Sequence, residues 1–208
     1  QIGDSSKFEN MLYGPMLSEK YASDFLQAIE MVEKSGANKI YGNGRITPES
    51  SPEGFHGDAA KGVYMWPHVY VDITEDMECF HEEIFGPAVT VVKAKDLNNA
   101  IHLANASPYG LSSAIYTNDR LEAYRFKTEI KAGMTSINNS TSGAEAHLPF
   151  GGVKNSGNGT RESGIWVLEA YSYWHAVNDE LSGKLQLAQM DVDEIEMSEK
   201  EVDWTKLA

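Results

Sequence analysis

The sequence contains a single cysteine, Cys79, among its 208 residues. One cysteine cannot form a disulfide within the chain, which favours a reducing compartment and predicts a cytoplasmic protein. The six histidines are scattered and show no HExxH pattern or cysteine pairing at ligand spacing, so no metal site is predicted. No apolar run approaches the roughly 18 residues that cross a membrane. The first ten residues also lack the basic-then-apolar order of a signal peptide.

Basic residues are scarce as well. The 17 lysines and arginines stand against 31 acidic residues, which gives a net charge of −14. A surface of this charge repels phosphate groups, so neither nucleic acid nor an anionic membrane is an expected partner. Seven of the acidic residues lie within residues 190–203, which we interpret as a solvated C-terminal tail.

The apolar pattern along the chain predicts an α/β fold. A helix is expected over residues 18–37, where Ser18 can cap its start and apolar residues recur every three or four positions. Residues 63–74 are rich in strand-forming side chains but are divided by Pro67. From residue 88 onwards the pattern reads strand, helix, strand, helix, strand. This order predicts a mostly parallel sheet with helices on both faces, and the first of these strands, AVTVV (88–92), should be covered on both faces.

Residues 140–164 form a loop that is too long and too rich in glycine to be a simple connection. Its glycines match neither the GxxxxGK[ST] phosphate loop nor a GxGxxG turn between a strand and a helix. Two interpretations remain open. The glycines either form structural turns, or they let the backbone line a substrate site.

Cys79 is a candidate nucleophile only if its thiol ionises readily. It lies beside Glu78 and near three further carboxylates, and negative charge raises the pKa of a thiol. We therefore interpret Cys79 as an inert residue. An unrelated cysteine enzyme that uses Cys79 is the alternative, and alkylation of that thiol would abolish its activity.

The stretch HEEIFGPAV (81–89) places two carboxylates, Glu82 and Glu83, directly before a buried strand. Adjacent residues of an extended segment point in opposite directions, so the two do not form an acid/base pair on one substrate. Either both belong to a solvated loop, or one faces a pocket while the other faces water. A carboxylate offers two acceptors to the vicinal hydroxyls of a sugar, and Phe85 offers a flat ring beside it.

Four stretches of the sequence belong together in order and spacing: EEIFGP (82–87), YGLSSAIYTND (109–119), AGMTSINN (132–139) and PFGGVKNSG (149–157). Together they resemble the C-terminal half of the NAD(P)-dependent aldehyde dehydrogenases, and the resemblance extends from about residue 1 to residue 178. Three further stretches are similar to the α-aminoadipic semialdehyde dehydrogenase (antiquitin) branch: LYGPMLSEK (12–20), TSGAE (141–145) and SGKLQLAQ (182–189).

The resemblance implies roles for five residues. Glu83 matches the glutamate that binds the ribose hydroxyls on the nicotinamide side of NAD or NADP, and Phe85 matches the aromatic residue near that ring. Gly143 and Ala144 match positions whose backbone amides hold the distal carboxylate of the substrate in the aminoadipic branch. Phe150 matches the aromatic residue that lines the aldehyde tunnel.

The resemblance also implies what the chain does not contain. The catalytic cysteine, the general-base glutamate and the Rossmann cofactor domain of the family all lie upstream of the matched region, and Cys79 does not match that cysteine. Residues 1–170 are therefore expected to be the C-terminal part of a catalytic domain, and residues 171–208 an oligomerisation strand (Tyr171–Asn178) with the acidic tail.

The expected function follows from these two implications. The chain should act in a homo-oligomeric enzyme that oxidises a small aldehyde, with an ω-semialdehyde as candidate, together with an N-terminal half supplied in cis or in trans. By itself it should be inactive. The alternative is a non-catalytic binding or assembly module that has kept the fold.

Overall fold

The computed structural model describes residues 1–142, 144–179 and 181. The chain divides into two compact units, residues 1–171 and residues 172–208. Residues 172–179 and 181, the described part of the second unit, form no helix or strand. All the elements below belong to the first unit.

The first unit contains five α-helices and nine short β-strands among its described residues, which confirms the α/β class. The helices are α1 (Glu19–Lys34), α2 (Glu78–His81), α3 (Leu97–Ala106), α4 (Arg120–Glu129) and α5 (Val167–Tyr171), the last preceded by a 3-10 helix (Gly164–Trp166). The strands are β1 (Ile2–Gly3), β2 (Asn38–Tyr41), β3 (Phe55–His56), β4 (His68–Ile73), β5 (Ala88–Val92), β6 (Tyr109–Gly110), β7 (Ser112–Ile115), β8 (Met134–Ile137) and β9 (Val153–Lys154).

The main core joins α1 to a three-stranded sheet with the order β2-β4-β5. The helix buries Ala22, Phe25, Ile29 and Val32, whose spacing places them on one face. Tyr70 and Ile73 of β4 pack against them. Burial of each large apolar side chain contributes about 1.5–3 kcal/mol relative to exposure, so this helix face anchors the N-terminal half of the unit.

Three strand pairs are parallel among the described residues: β1 with β3, β4 with β5 and β7 with β8. Of these, β7-β8 lies within the alternation of strand and helix predicted from residue 88 onwards. The strands do not form one continuous sheet, since β4-β5 and β7-β8 belong to separate sheets in the described part of the chain. β2 joins β4 in the antiparallel direction, and β6 joins β9 in the same way. Pro67 immediately precedes β4, as its missing N–H requires.

One expectation for β5 is wrong within this chain. The strand was predicted to be covered on both faces, but Val89 is 52% exposed and Val91 is 46% exposed. Ala88 and Val92, on the opposite face, pack against the core. The strand therefore carries more apolar side chains than this chain buries, and the face with Val89 and Val91 is exposed.

The oligomerisation strand predicted for Tyr171–Asn178 has no counterpart as a strand here. Tyr171 is the last residue of α5, and residues 172–178 have no regular structure. A strand that pairs with another subunit has no ladder partner in a single chain, so this assignment stays a prediction. Within the described residues, no helix combines the length and the apolar character required to span a membrane.

Candidate functional site

The segment 82–87 after α2 is held in place by two contacts with the core. Ile84 packs against the cluster built around Phe25, and Gly86 lies so close to the Phe25 ring that an added Cβ would overlap it. Glu82 caps the C-terminal end of α2, with its N–H donating to the Glu78 carbonyl at 3.1 Å. The backbone at Glu82 is extended.

Glu83 and Phe85 flank Ile84 in the chain, and unlike Ile84 they do not pack against the core. Both are exposed, and Phe85 exposes 74% of its surface. An exposed carboxylate with two free acceptor positions beside an exposed flat ring has the chemistry to hold a ribose and pack against a nicotinamide. The residues present therefore fit the cofactor that the sequence predicts, although this chain supplies only one wall around them.

A second feature is a cavity of about 370 Å³ at the carboxyl end of β8. Part of its lining is apolar and consists of Met134, Leu148, Pro149 and Phe150. The polar part consists of Asn139, Ser140, Ser142 and Glu145, and Ala144 also lines the cavity. The hydroxyl oxygens of Ser140 and Ser142 lie 2.6 Å apart, and the Ser142 N–H donates to Ser140 Oγ at 3.0 Å. Among the described residues of this cavity, Glu145 carries the one formal charge.

The glycine-rich loop is pinned by backbone and cationic contacts. Phe150 and Glu162 exchange two backbone hydrogen bonds of 2.6 and 2.8 Å. Lys154 Nζ donates to the carbonyls of Asn105 and Ser107, both at 2.9 Å, at the C-terminal end of α3. Burial at this contact lowers the pKa of Lys154. These bonds fix the loop and with it the position of Phe150. The glycines can therefore form structural turns and also let the backbone line a substrate site, so the two interpretations are compatible.

The structure brings together only some of the residues predicted from the sequence. Ala144 and Phe150 line the same cavity. Glu83 and Phe85 are both exposed in segment 82–87 and do not line that cavity, and Gly143 lies outside the described residues. The roles of all five therefore stay predictions.

Sequence reasoning missed the polar wall of this cavity. Glu145 was part of a quoted motif but received no role, and Ser140 and Ser142 were treated as loop. The available signal was the run STSGAE (140–145), in which hydroxyl and carboxylate groups follow a strand directly at its carboxyl end.

Cys79 lies within the main core and is 4% exposed. Burial raises the pKa of its thiol, and the neighbouring Glu78 acts in the same direction. A neutral buried thiol is a poor nucleophile, which supports the inert interpretation. In the part of the chain that the structure describes, no group of three His, Cys, Asp or Glu side chains is arranged to hold a metal ion.

One family profile, described as "aldehyde dehydrogenase family", matches residues 1–177. The chain belongs to the aldehyde dehydrogenase family. The α-ketoglutarate semialdehyde dehydrogenase of Haloferax volcanii is 39% identical over 168 residues, which are 80% of this chain and 33% of that protein. The vanillin dehydrogenase of Corynebacterium glutamicum is 39% identical over 170 residues, 82% of this chain and 32% of its own length.

Solved aldehyde dehydrogenase structures share the fold. An NAD-dependent aldehyde dehydrogenase from Sinorhizobium meliloti superposes with a TM-score of 0.75 at 31% identity, over 88% of this chain and 34% of that one. A betaine aldehyde dehydrogenase from Staphylococcus aureus, in complex with NAD+, gives a TM-score of 0.70 at 31% identity, over 79% of this chain and 31% of the other. The chain thus spans about a third of the length of the relatives it matches.

Proposed function

We propose that this chain is the C-terminal portion of an NAD(P)-dependent aldehyde dehydrogenase. In the complete enzyme it supplies one wall of the cofactor site and part of the aldehyde tunnel. The observation that carries the proposal is that Glu83 and Phe85 are both exposed on a segment fixed to the core by Ile84 and Gly86. Rigid support behind two exposed side chains is typical of a binding surface.

The roles of these residues in the complete enzyme follow from the chemistry of their side chains. A cysteine outside this chain would supply the nucleophile for the aldehyde carbon, NAD(P) held in part by Glu83 and Phe85 would supply the hydride acceptor, and water would release the acid from the cysteine. Glu83 would accept hydrogen bonds from the ribose hydroxyls and so fix the position of the nicotinamide. Phe85 would pack near the ring, and Phe150 would line the path of the aldehyde.

For the substrate we propose an aldehyde with a polar distal end, as in the α-aminoadipic branch. Several relatives at 33–39% identity are named for semialdehydes, including the succinate-semialdehyde dehydrogenase of Deinococcus radiodurans. Backbone amides at Gly143 and Ala144 would hold a distal carboxylate. Glu145 lines the same cavity and repels a lone carboxylate, so an ammonium group beside that carboxylate is favoured.

The cofactor role is tested by a matched pair of variants in the complete enzyme. Glu83→Gln should raise the KM for NAD(P) about tenfold or more, because a hydrogen bond to a charged acceptor contributes about 1.5–3 kcal/mol. Glu82→Gln, one residue away, is the matched control and should leave that KM within about twofold, since Glu82 is assigned no cofactor contact and is an exposed charge. Equal effects of the two variants would refute the assignment of Glu83.

The presence of the complementary half is tested by intact mass analysis of the native preparation. A longer chain that contains this sequence, or a second polypeptide with a reactive cysteine, is expected. A lone species of 23.0 kDa would instead favour the non-catalytic binding or assembly module. The exposed face of β5 favours this second candidate, since an assembly module needs an apolar surface. If the protein is such a module, its melting temperature should not change on addition of NAD and an ω-semialdehyde.

A further inference from the structure

The sequence contains two asparagines that are directly followed by glycine, Asn43 and Asn158, and a glycine also precedes each of them. Such a pair can modify itself, because glycine has no Cβ to keep its backbone nitrogen away from the side-chain amide of the asparagine. Attack of that nitrogen on Cγ closes a five-membered ring. The reaction requires a backbone N–H and a side-chain NH2 group that are not held in other hydrogen bonds, and the two pairs differ in this respect.

At Asn43 both reacting groups are held in hydrogen bonds. Its Nδ2 donates to Ser50 Oγ at 2.9 Å. The Gly44 N–H donates to Nε2 of the buried His68 at 3.2 Å, and the Gly44 carbonyl accepts from the Trp66 N–H at 2.8 Å. Ring closure at Asn43 would first have to break the bond to His68 and open the backbone around Gly44, so this pair is protected.

At Asn158 both reacting groups are free. Asn158 and Gly159 are exposed and lie in the loop after β9. In the described part of the chain, neither Asn158 Nδ2 nor the Gly159 N–H takes part in a hydrogen bond. A Cβ added to Gly159 would meet no atom within 4 Å, so the space around the pair is open to water.

The carbonyl group of the Asn158 side chain is polarised by Thr160. The Thr160 N–H donates to Oδ1 at 3.1 Å, and the Thr160 hydroxyl donates to the same oxygen at 2.7 Å. Because a backbone N–H can only donate, the atom that it contacts is the oxygen, which identifies Nδ2 as the free nitrogen. Two donors at these distances stabilise the negative charge that develops on Oδ1 when Cγ is attacked.

A positive charge lies beside the same backbone. Arg161 Nη1 donates to the carbonyls of Gly159 and Thr160, at 3.2 and 2.9 Å. This charge favours both the loss of the Gly159 N–H proton and the negative charge on Oδ1, since each step creates an anion near the guanidinium.

We infer that Asn158 is a site of spontaneous deamidation, in which the Gly159 nitrogen is the nucleophile and Thr160 stabilises the developing charge. A bond forms between the Gly159 nitrogen and Asn158 Cγ, the bond from Cγ to Nδ2 breaks, and the Gly159 proton passes through water to the departing nitrogen, which leaves as ammonia. One water molecule then opens the ring at either carbonyl carbon, which gives aspartate or isoaspartate without any oxidation or reduction. The reaction goes beyond the proposed function, and its product adds a negative charge beside Arg161 on the loop that also carries Phe150.

Peptide mapping of the native preparation tests this site. Trypsin cleaves after lysine and arginine, so the two pairs are recovered in separate peptides, residues 40–45 and 155–161. After incubation at neutral to mildly alkaline pH, fragmentation of the second peptide should show replacement of NH2 by OH at position 158, with both aspartate and isoaspartate present. Asn158 should react at least about tenfold faster than Asn43, because Asn43 reacts only after local opening.

The same incubation in urea separates the effect of the structure from that of the sequence. Both asparagines lie between two glycines, so their rates in the unfolded chain should agree within about threefold. A ratio of rates in the native protein that is no larger than the ratio in urea would overturn the inference.

Two variants of the exposed Thr160 test the role of its hydroxyl. Thr160→Val removes that donor and should slow deamidation of Asn158 at least about threefold, whereas Thr160→Ser keeps it and should stay within about twofold of the parent rate. Equal rates in the two variants would overturn the role of Thr160. Aspartate without isoaspartate would overturn the cyclic route, and an unmodified Asn158 would overturn the site itself, while the proposed function would stand in each case.

Discussion

The imidazole of His68 lies in the middle of the N-terminal core and is 1% exposed. Its Nε2 accepts from the Gly44 N–H at 3.2 Å, so the ring proton resides on Nδ1, which donates to the Trp66 carbonyl at 2.9 Å. The ring packs edge-on against Phe25 and stacks on Tyr70. The bond from Gly44 requires the neutral form because protonation of Nε2 would break it, whereas Nδ1 can donate to the Trp66 carbonyl in both forms.

At the residue scale we therefore predict a pH-dependent stability that depends on His68. Burial lowers the pKa of His68 below its usual 6.5, and the charge of Lys39 adds to this, against opposing effects of the Trp66 bond and Glu33. Because the folded pKa is the lower one, the contribution is complete above pH 6.5 and is lost as the pH falls below that value. The free energy of unfolding in urea should decrease on acidification, by at most about 1.4 kcal/mol per pH unit for this one proton.

The control for this prediction is the exposed His147. His68→Gln should flatten the component of the pH profile near pH 6, whereas His147→Gln should leave it unchanged. A profile that is the same in both variants would mean that carboxylates alone determine the acid sensitivity.

At the scale of single elements, the three long helices differ in how their N-termini are satisfied. Asp96 Oδ1 accepts from the Asn99 N–H at 2.8 Å, and Asp119 Oδ1 accepts from the Leu121 N–H at 2.7 Å. Ser18 stands at the same position before α1 but makes no side-chain capping bond. The sequence predicted a cap at Ser18 from residue type alone, and here the prediction of the bond was wrong although the helix begins where expected.

This difference leads to a prediction for stability. Asp96→Ala should lower the free energy of unfolding by about 1 kcal/mol, because an N–H at the start of α3 loses its acceptor. Ser18→Ala should change it by only a few tenths, since no bond is lost. Thermal or urea unfolding of the two variants measures the difference, and equal losses would contradict the capping geometry.

Gly133 supports the loop that carries Phe150. An added Cβ at Gly133 would overlap the carbonyl oxygen of Gly151, so the start of β8 and the loop approach one another as bare backbone. Gly133→Ala should destabilise the chain by about 1–3 kcal/mol through overpacking and raise the KM for the aldehyde in the complete enzyme. Gly14→Ala is the control, because its nearest contact, the Gly3 carbonyl oxygen at 3.6 Å, leaves room for a methyl group.

At the scale of the whole molecule, the chain leaves apolar surface and strand edges without cover. Val89 and Val91 are about half exposed on β5, and the edge of β7 has no partner strand among the described residues. Open edges and apolar faces favour association with other chains. We predict that the isolated chain self-associates as its concentration rises and that the N-terminal polypeptide suppresses this.

Sedimentation velocity over a range of concentrations measures that association. The sedimentation coefficient should rise with concentration for the isolated chain and stay constant once the N-terminal polypeptide is present in excess. A monomer at all concentrations would show that the net charge of −14 is sufficient to keep these surfaces apart.

The sequence by itself determined the local structure of this protein. The apolar spacing of Tyr21, Phe25, Ile29 and Val32 predicted α1, because such spacing depends on neighbours within a few positions; the last three are buried, whereas Tyr21 is exposed and Ala22 takes its place in the core. The alternation of strand and helix after residue 88 predicted the parallel pair β7-β8. The resemblance of its motifs identified the family. Burial of β5 was predicted wrongly, because an apolar run shows that a strand must be covered but not which polypeptide covers it.

Only the tertiary structure decided how the site residues are arranged. It separated Glu83 and Phe85 from the cavity of Ala144 and Phe150, added Glu145 to that cavity, and revealed the open edge of β7. These features depend on contacts between segments far apart in the chain, such as Gly133 with Gly151 and Lys154 with Asn105. Spacing along a sequence carries no direct record of such distances, because they are set by how the helices and strands pack.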